Sequence, residues 1–245
     1  MSGWWRSPRA IVAGLVVLAV ALVVGVALNL GRGGHHAPPP AAGSPVPPPA
    51  SGPASTSPAA TLPRLDLSDV HFVDLYGFRL PVSPTAGPRG QAGGQAAGFA
   101  DTPLGAVLAA IHIGYRANAP WGSAIYEPTI VHQVVGPDQP ALLAATRGSA
   151  QALGSPTLPP AGTAIAGSDA RVRGVRWEGY TPTDAVLHLA QSQQDPSTGG
   201  VNLVDLRLEV RWERSDWRLL APPAGQWTNA ATALTSLTGF QLFGS

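Results

Sequence analysis

The chain contains no cysteine. Disulfides, thiolate metal sites and an anchor lipidated on cysteine are thereby excluded, and an exported domain must stabilise itself by core burial alone. Charge is also scarce: Asp, Glu, Lys and Arg make up 12% of the 245 residues, and the net charge is +1. So small a balance points away from nucleic acid as a partner. Catalytic motifs are missing too. There is no G-x-S-x-G, Gly122-Ser123 and Gly167-Ser168-Asp169 read as loops, and Gly93-Gly94 lacks the strand-to-helix setting of a phosphate loop. None of the six histidines has zinc-site spacing, so no metal and no cofactor is expected.

What the chain does have is an apolar run, Ala10 to Leu30, whose only polar residue is Asn29. At 1.5 Å per residue the run matches a hydrocarbon core of roughly 30 Å. It is longer than a cleaved signal's apolar core, and no cleavage site follows Leu30, so an uncut signal anchor is expected. Arg6 and Arg9 precede it and only Arg32 follows closely, which keeps residues 1–9 in the cytoplasm and places the rest outside. Trp4 and Trp5 fall at headgroup depth. The bilayer is thus the first partner, through residues 10–30.

Residues 31–63 hold Pro38-Pro39-Pro40 and Pro47-Pro48-Pro49 with almost nothing to bury, which reads as a semi-rigid linker. Hydrophobic density returns after Pro63, and residues 64–245 are read as one extracytoplasmic domain of α+β class.

Phe72 to Leu80 suggests a strand broken at Gly77. Asp101 or Thr102 can cap a helix that opens at Pro103, with Leu104, Val107, Leu108, Ile111 and Tyr115 forming one apolar face. A second helix is expected after Asp138, and Ile125 to Val135 reads as helix-like turns. The second half is strand-rich. Val204, Leu206, Leu208, Val210 and Trp212 alternate with Asp205, Arg207, Glu209 and Arg211, so one sheet face is dry and the other wet. Val172 to Trp177, with a bulge near Gly174, Ala185 to Gln191, and Trp217 to Leu220 after the Arg214-Ser215-Asp216 turn complete about four antiparallel strands curling over the helices.

That order and the ending VRWERSDWRLL resemble the nuclear-transport-factor-two-like cone. With a cytoplasmic tail, one membrane helix and a linker ahead of it, the chain is similar to the eighth VirB component of type IV secretion systems and to conjugation proteins of Gram-positive bacteria. The stretches Gly77 to Pro88 and GFADTPLGAVLAA, Gly98 to Ala110, also resemble uncharacterised exported proteins of actinobacterial mobile elements. The resemblance implies a non-enzymatic assembly or scaffold protein whose partners are other membrane or secretion-complex proteins. An exported ligand-binding or cell-wall-associated module is the alternative.

A third class, a pocket hydrolase or isomerase, would draw on His112, Tyr115 or His188, with Asp184 nearby in sequence. His112 sits on the flank of the helix stripe and reads first as half-buried; His188 faces either solvent or the mouth of the cone. His71 and His132 stand alone. Arg171, Arg173 and Arg176 form either a solvated face or a seat for an anionic wall polymer. Trp177, Trp212 and Trp217 fall at core positions, whereas Trp121 and Trp227, in loops, are the candidates for an exposed contact. The apolar C-terminus, Ala230 to Phe243, should dock on the domain or on a second subunit, which leaves a homo-oligomer open.

Overall fold

The structure, a computed structural model, describes residues 62–165, 167–195 and 198–244. The stretches expected to form a cytoplasmic tail and a membrane helix, and all but the end of the expected linker, lie outside these residues. Among them no helix is long and apolar enough to cross a membrane.

Three α-helices pack on a curled sheet. The first is α1 (Pro103–Arg116), followed by α2 (Ser123–Gln133) and α3 (Gln139–Ala152). The Thr102 hydroxyl accepts from Gly105 N at 3.1 Å and Pro103 opens the first turn, where a missing N–H is harmless. Expected as an amphipathic helix, α1 is instead buried on nearly every side: all residues from Leu104 to Arg116 except Tyr115 are buried. It packs on the sheet, on α2 and against a loop, residues 83–100, that no sequence period announces. The absence of any charge between Pro103 and Tyr115 was the available sign.

Among the described residues the sheet has nine strands rather than about four. In chain order they are β1 (His71–Leu75), β2 (Phe78–Val82), β3 (Val134–Val135), β4 (Arg171–Tyr180), β5 (Asp184–Gln194), β6 (Val201–Glu213), β7 (Asp216–Leu220), β8 (Ala231–Leu234) and β9 (Gln241–Leu242). Their order is β1-β2-β4-β5-β6-β7-β3, with β8 on β6 and β9 on β4. The antiparallel strands β4 to β7, three long ones and the short β7, are those legible from the sequence. Of the others, β1 and β2 coincide with the expected Phe72 to Leu80 strand, while β3, β8 and β9 are two to four residues long and leave no periodic trace. Tyr76 and Gly77, both at positive φ, turn β1 into β2, so the expected break at Gly77 is a hairpin.

The β5–β6 register places Ala185 opposite Val210 and Leu187 opposite Leu208 on the dry side, and Asp184 opposite Arg211 and His188 opposite Arg207 on the wet side. Under the dry side, Leu108, Ile111, Leu187, Leu189, Leu219 and Trp217 are at most 1% exposed and fill the space between sheet and α1.

The C-terminal tail docks on its own domain. β8 lies along Leu203–Leu206 of β6, and the chain then reaches the opposite edge of the long strands, where β9 pairs with Gly174 and Val175 of β4. There the Gln241 amide grips the chain where it enters the fold: its Nε2 donates to Leu65 O at 2.7 Å and its Oε1 accepts from Leu65 N at 3.1 Å. Phe243 packs edge-on against Phe72. The expected bulge is present, since the β4–β5 register shifts between Val172 and Gly174. A Cβ on Gly174 would lie 2.8 Å from Gln241 O, so glycine alone admits β9 this closely. Gly174→Val is expected to cost about 1–3 kcal/mol through overpacking and to release the tail. Urea unfolding and protease cleavage within residues 231–244 measure it; an unchanged midpoint and an uncut tail would refute it.

Candidate functional site

The residues singled out for chemistry fall into separate places. His112, on α1, is fully buried rather than half-buried. Its Nε2 lies 2.8 Å from Pro81 O, which can only accept, so Nε2 carries the proton. Nδ1 therefore accepts, and Arg116 Nη1 donates to it at 2.9 Å. Burial, reinforced by the Arg116 charge, pushes the His112 pKa down to about 3. Both ring nitrogens are committed and the ring is neutral at physiological pH. Tyr115 is half-buried and meets Phe78 edge-on at 5.2 Å; burial pushes its phenol up, and its hydroxyl has no hydrogen-bond partner.

Arg116 was not singled out by sequence, yet it is the most unusual charge in the fold. It is 1% exposed and has no carboxylate partner among the described residues. Its Nε donates to Gly94 O at 2.9 Å, its guanidinium lies over the Trp121 ring at 5.5 Å, and desolvation lowers its pKa to about 10. Gln133 Nε2 binds Ala96 O and Gln95 Nε2 binds Pro128 O, so three side chains stitch residues 94–96 between α1 and α2. Trp121 is a correction to the sequence reading. Expected as an exposed loop contact, it is 2% exposed and stacks on Phe78 at 5.4 Å, because the loop folds inward over the end of α1. Trp227 is half-buried, as are Trp177 and Trp212, while Trp217 is completely enclosed.

His188 lies on the wet face, away from α1. Its Nδ1 is 2.9 Å from both carboxylate oxygens of Asp205, and its Nε2 is 3.1 Å from Glu178. Arg207 clasps Glu178 with two bonds of 2.8 and 2.9 Å and holds its carboxyl below the usual range. Arg176 approaches Asp205 at 3.3 Å and carries the ring of Phe240 at 5.0 Å. Asp184 pairs with Arg211 at 2.8 Å, which lowers its pKa. The residues read as a charged ladder are therefore an ion-pair network with the C-terminal tail passing across it. His112 and His188 have no partner in common. Of the arginine trio, Arg171 binds Ser168 O and Ala170 O, Arg176 joins the network, and Arg173 is exposed. Among the described residues, no group of three metal-binding side chains exists.

One open concavity has chemistry left over. A cleft of about 280 Å³ lies between the end of α2, β3 and the β6–β7 turn, lined by Val131, His132, Val134, Gln139, Glu213, Arg214 and Arg218, among others. Its position follows from the turn, where Arg214 and Ser215 both take positive φ and close a two-residue hairpin.

The two stretches that carried the resemblance meet each other. The Asp216 carboxylate, 7% exposed as a residue, accepts from Gly98 N at 2.9 Å, Phe99 N at 3.1 Å and Trp217 N at 3.0 Å. The Trp217 indole donates to Ala100 O at 2.9 Å. The DWRL and GFADTP segments are thus two halves of one internal strut that pins the loop before α1 to the last long hairpin.

No curated protein and no solved structure matches the chain. A family model described as a domain of unknown function, DUF8175, matches residues 36–242, covering most of the proline-rich tract and nearly all of the folded domain. The chain belongs to that family.

Proposed function

We propose that this is a single-pass membrane protein whose domain, residues 64–245, is held outside the cytoplasm and works by protein–protein contact, as an assembly or scaffold component of a conjugation or secretion-type machine. The observation that carries the non-enzymatic part is the fate of the acid–base candidates. His112 is a neutral core histidine with both nitrogens engaged, and His188 is bound into surface ion pairs. The space a cone enzyme would use as its pocket is filled by Leu and Trp side chains. Three helices ahead of the β4 to β7 meander support the likeness to the cone fold, with the β1–β2 hairpin and the C-terminal tail as additions. The tether rests on the Ala10 to Leu30 run and the Pro-rich tract after it.

Fractionation tests the tether. The full-length chain should stay in the membrane pellet through an alkaline carbonate wash, and protease added to intact cells stripped of their wall should digest the domain. Recovery in the soluble fraction would overturn the reading. Crosslinking in the native cell should then capture other membrane proteins. The alternative, an exported ligand-binding module, is favoured by one observation, the open cleft beside Arg218.

A further inference from the structure

We propose that the cleft at the β6–β7 turn binds a free carboxylate on a short apolar arm, the chemistry of a peptide C-terminus ending in a small apolar residue. The argument starts with Arg218. It is half-buried and forms no ion pair or hydrogen bond among the described residues, although its guanidinium offers five donors. Directly across the β6–β7 ladder stands Arg211, whose charge is already met by Asp184 at 2.8 Å and Glu213 at 3.7 Å. The nearby carboxylates thus serve Arg211, and Arg218 faces a like charge with no counter-ion of its own. Arg214, exposed on the adjoining turn, and His132 line the same cleft, also without partners among the described residues. A bidentate carboxylate would satisfy the Arg218 fork.

Three details narrow the ligand. Glu213 also lines the cleft and repels a dianion more than a monoanion, which favours carboxylate over phosphate. Val131, 47% exposed, gives the largely polar cleft one apolar contact, which suits a short aliphatic arm. Gln139 is fixed by its own Nε2, which donates to Ile130 O, Val131 O and Val134 O. Its Oε1 accepts nothing among the described residues and is available to the N–H of the residue that bears the carboxylate. The volume, about 280 Å³, lies at the small end of ligand pockets and suits one terminal residue rather than a large molecule. This inference is independent of the scaffold reading, which stands or falls on fractionation and crosslinking.

The test uses the full-length chain in mild detergent and fluorescence anisotropy with a labelled pentapeptide ending in Ala-Ala, as free acid and as amide. The acid should bind at least tenfold more tightly than the amide. Arg218→Gln should weaken the acid at least tenfold and Arg214→Gln severalfold, with the thermal midpoint of each variant as the folding control. Arg173→Gln, which removes an exposed charge outside the cleft, should leave binding unchanged. Equal binding of acid and amide, undiminished binding by Arg218→Gln, or equally effective displacement by inorganic phosphate would each overturn the assignment.

Discussion

Acidification from pH 6.5 to pH 5 is expected to cost the domain about 2 kcal/mol through His112 alone. The sign follows from its place in the core. Burial and Arg116 depress the folded-state pKa to about 3, while the unfolded chain takes up a proton near 6.5. Stability from the neutral ring is therefore complete above pH 6.5. It declines as the pH falls towards 3, because the unfolded state binds the proton that the folded state refuses. Arg116 adds nothing in this window, since it stays charged in both states below about pH 10. Urea unfolding at pH 7.5, 6.5, 5.5 and 5.0 measures the slope. His112→Gln, which keeps a donor for Pro81 O and an acceptor for Arg116 on a side chain that does not titrate, should flatten it even if the variant is less stable overall. An equal slope in both proteins would show that His112 does not carry the effect.

Replacing Asp216 with alanine should destabilise the fold by about 3–5 kcal/mol. The change strands the Gly98 and Phe99 N–H groups inside the fold and removes a charged acceptor from three donors at once. Asp216→Asn should cost about half as much, because one amide oxygen survives while the new NH₂ opposes a backbone N–H. Chemical denaturation gives both values, and hydrogen exchange should show faster opening of residues 98–100 before global unfolding. A loss below about 1 kcal/mol for the alanine variant would mean that water replaces the carboxylate, and the strut would lose its structural importance.

The same strut explains why the two most recognisable segments said so little about chemistry. Asp216 and Trp217 stand out in sequence, as does the Gly98 to Pro103 stretch, and their pairing across more than a hundred positions serves folding. Sequence reading located the α1 start, the α3 start, the bulge near Gly174 and the strands β4 to β7, because caps, prolines and period-two alternation are local signals. It missed β3, β8 and β9, since two to four residues held by an edge leave no period. It also placed Trp121 outside and His112 only halfway in. Trp121 is covered by Tyr76, Phe78 and Arg116, and His112 by Pro81 and Phe99, all brought in from remote positions of the chain.

The cleft was legible only in part. His132 was noted as an isolated histidine and Arg214 as part of a turn, but neither spacing nor charge count links them to Arg218 and Gln139. The unpaired state of Arg218 depends on who holds Arg211, and that is settled by strand register and by Asp184 on a third strand.

Taken by itself, the order of the amino acids determined the α+β class of the domain and its main helices and strands. These depend on composition and on periods of two and 3.6 residues, which neighbouring side chains set among themselves. Only the tertiary structure decided which histidine is sealed in the core, which is tied down on the surface, and which arginine is left without an anion. Protonation and pairing depend on atoms brought together from remote positions, and no local pattern encodes that proximity.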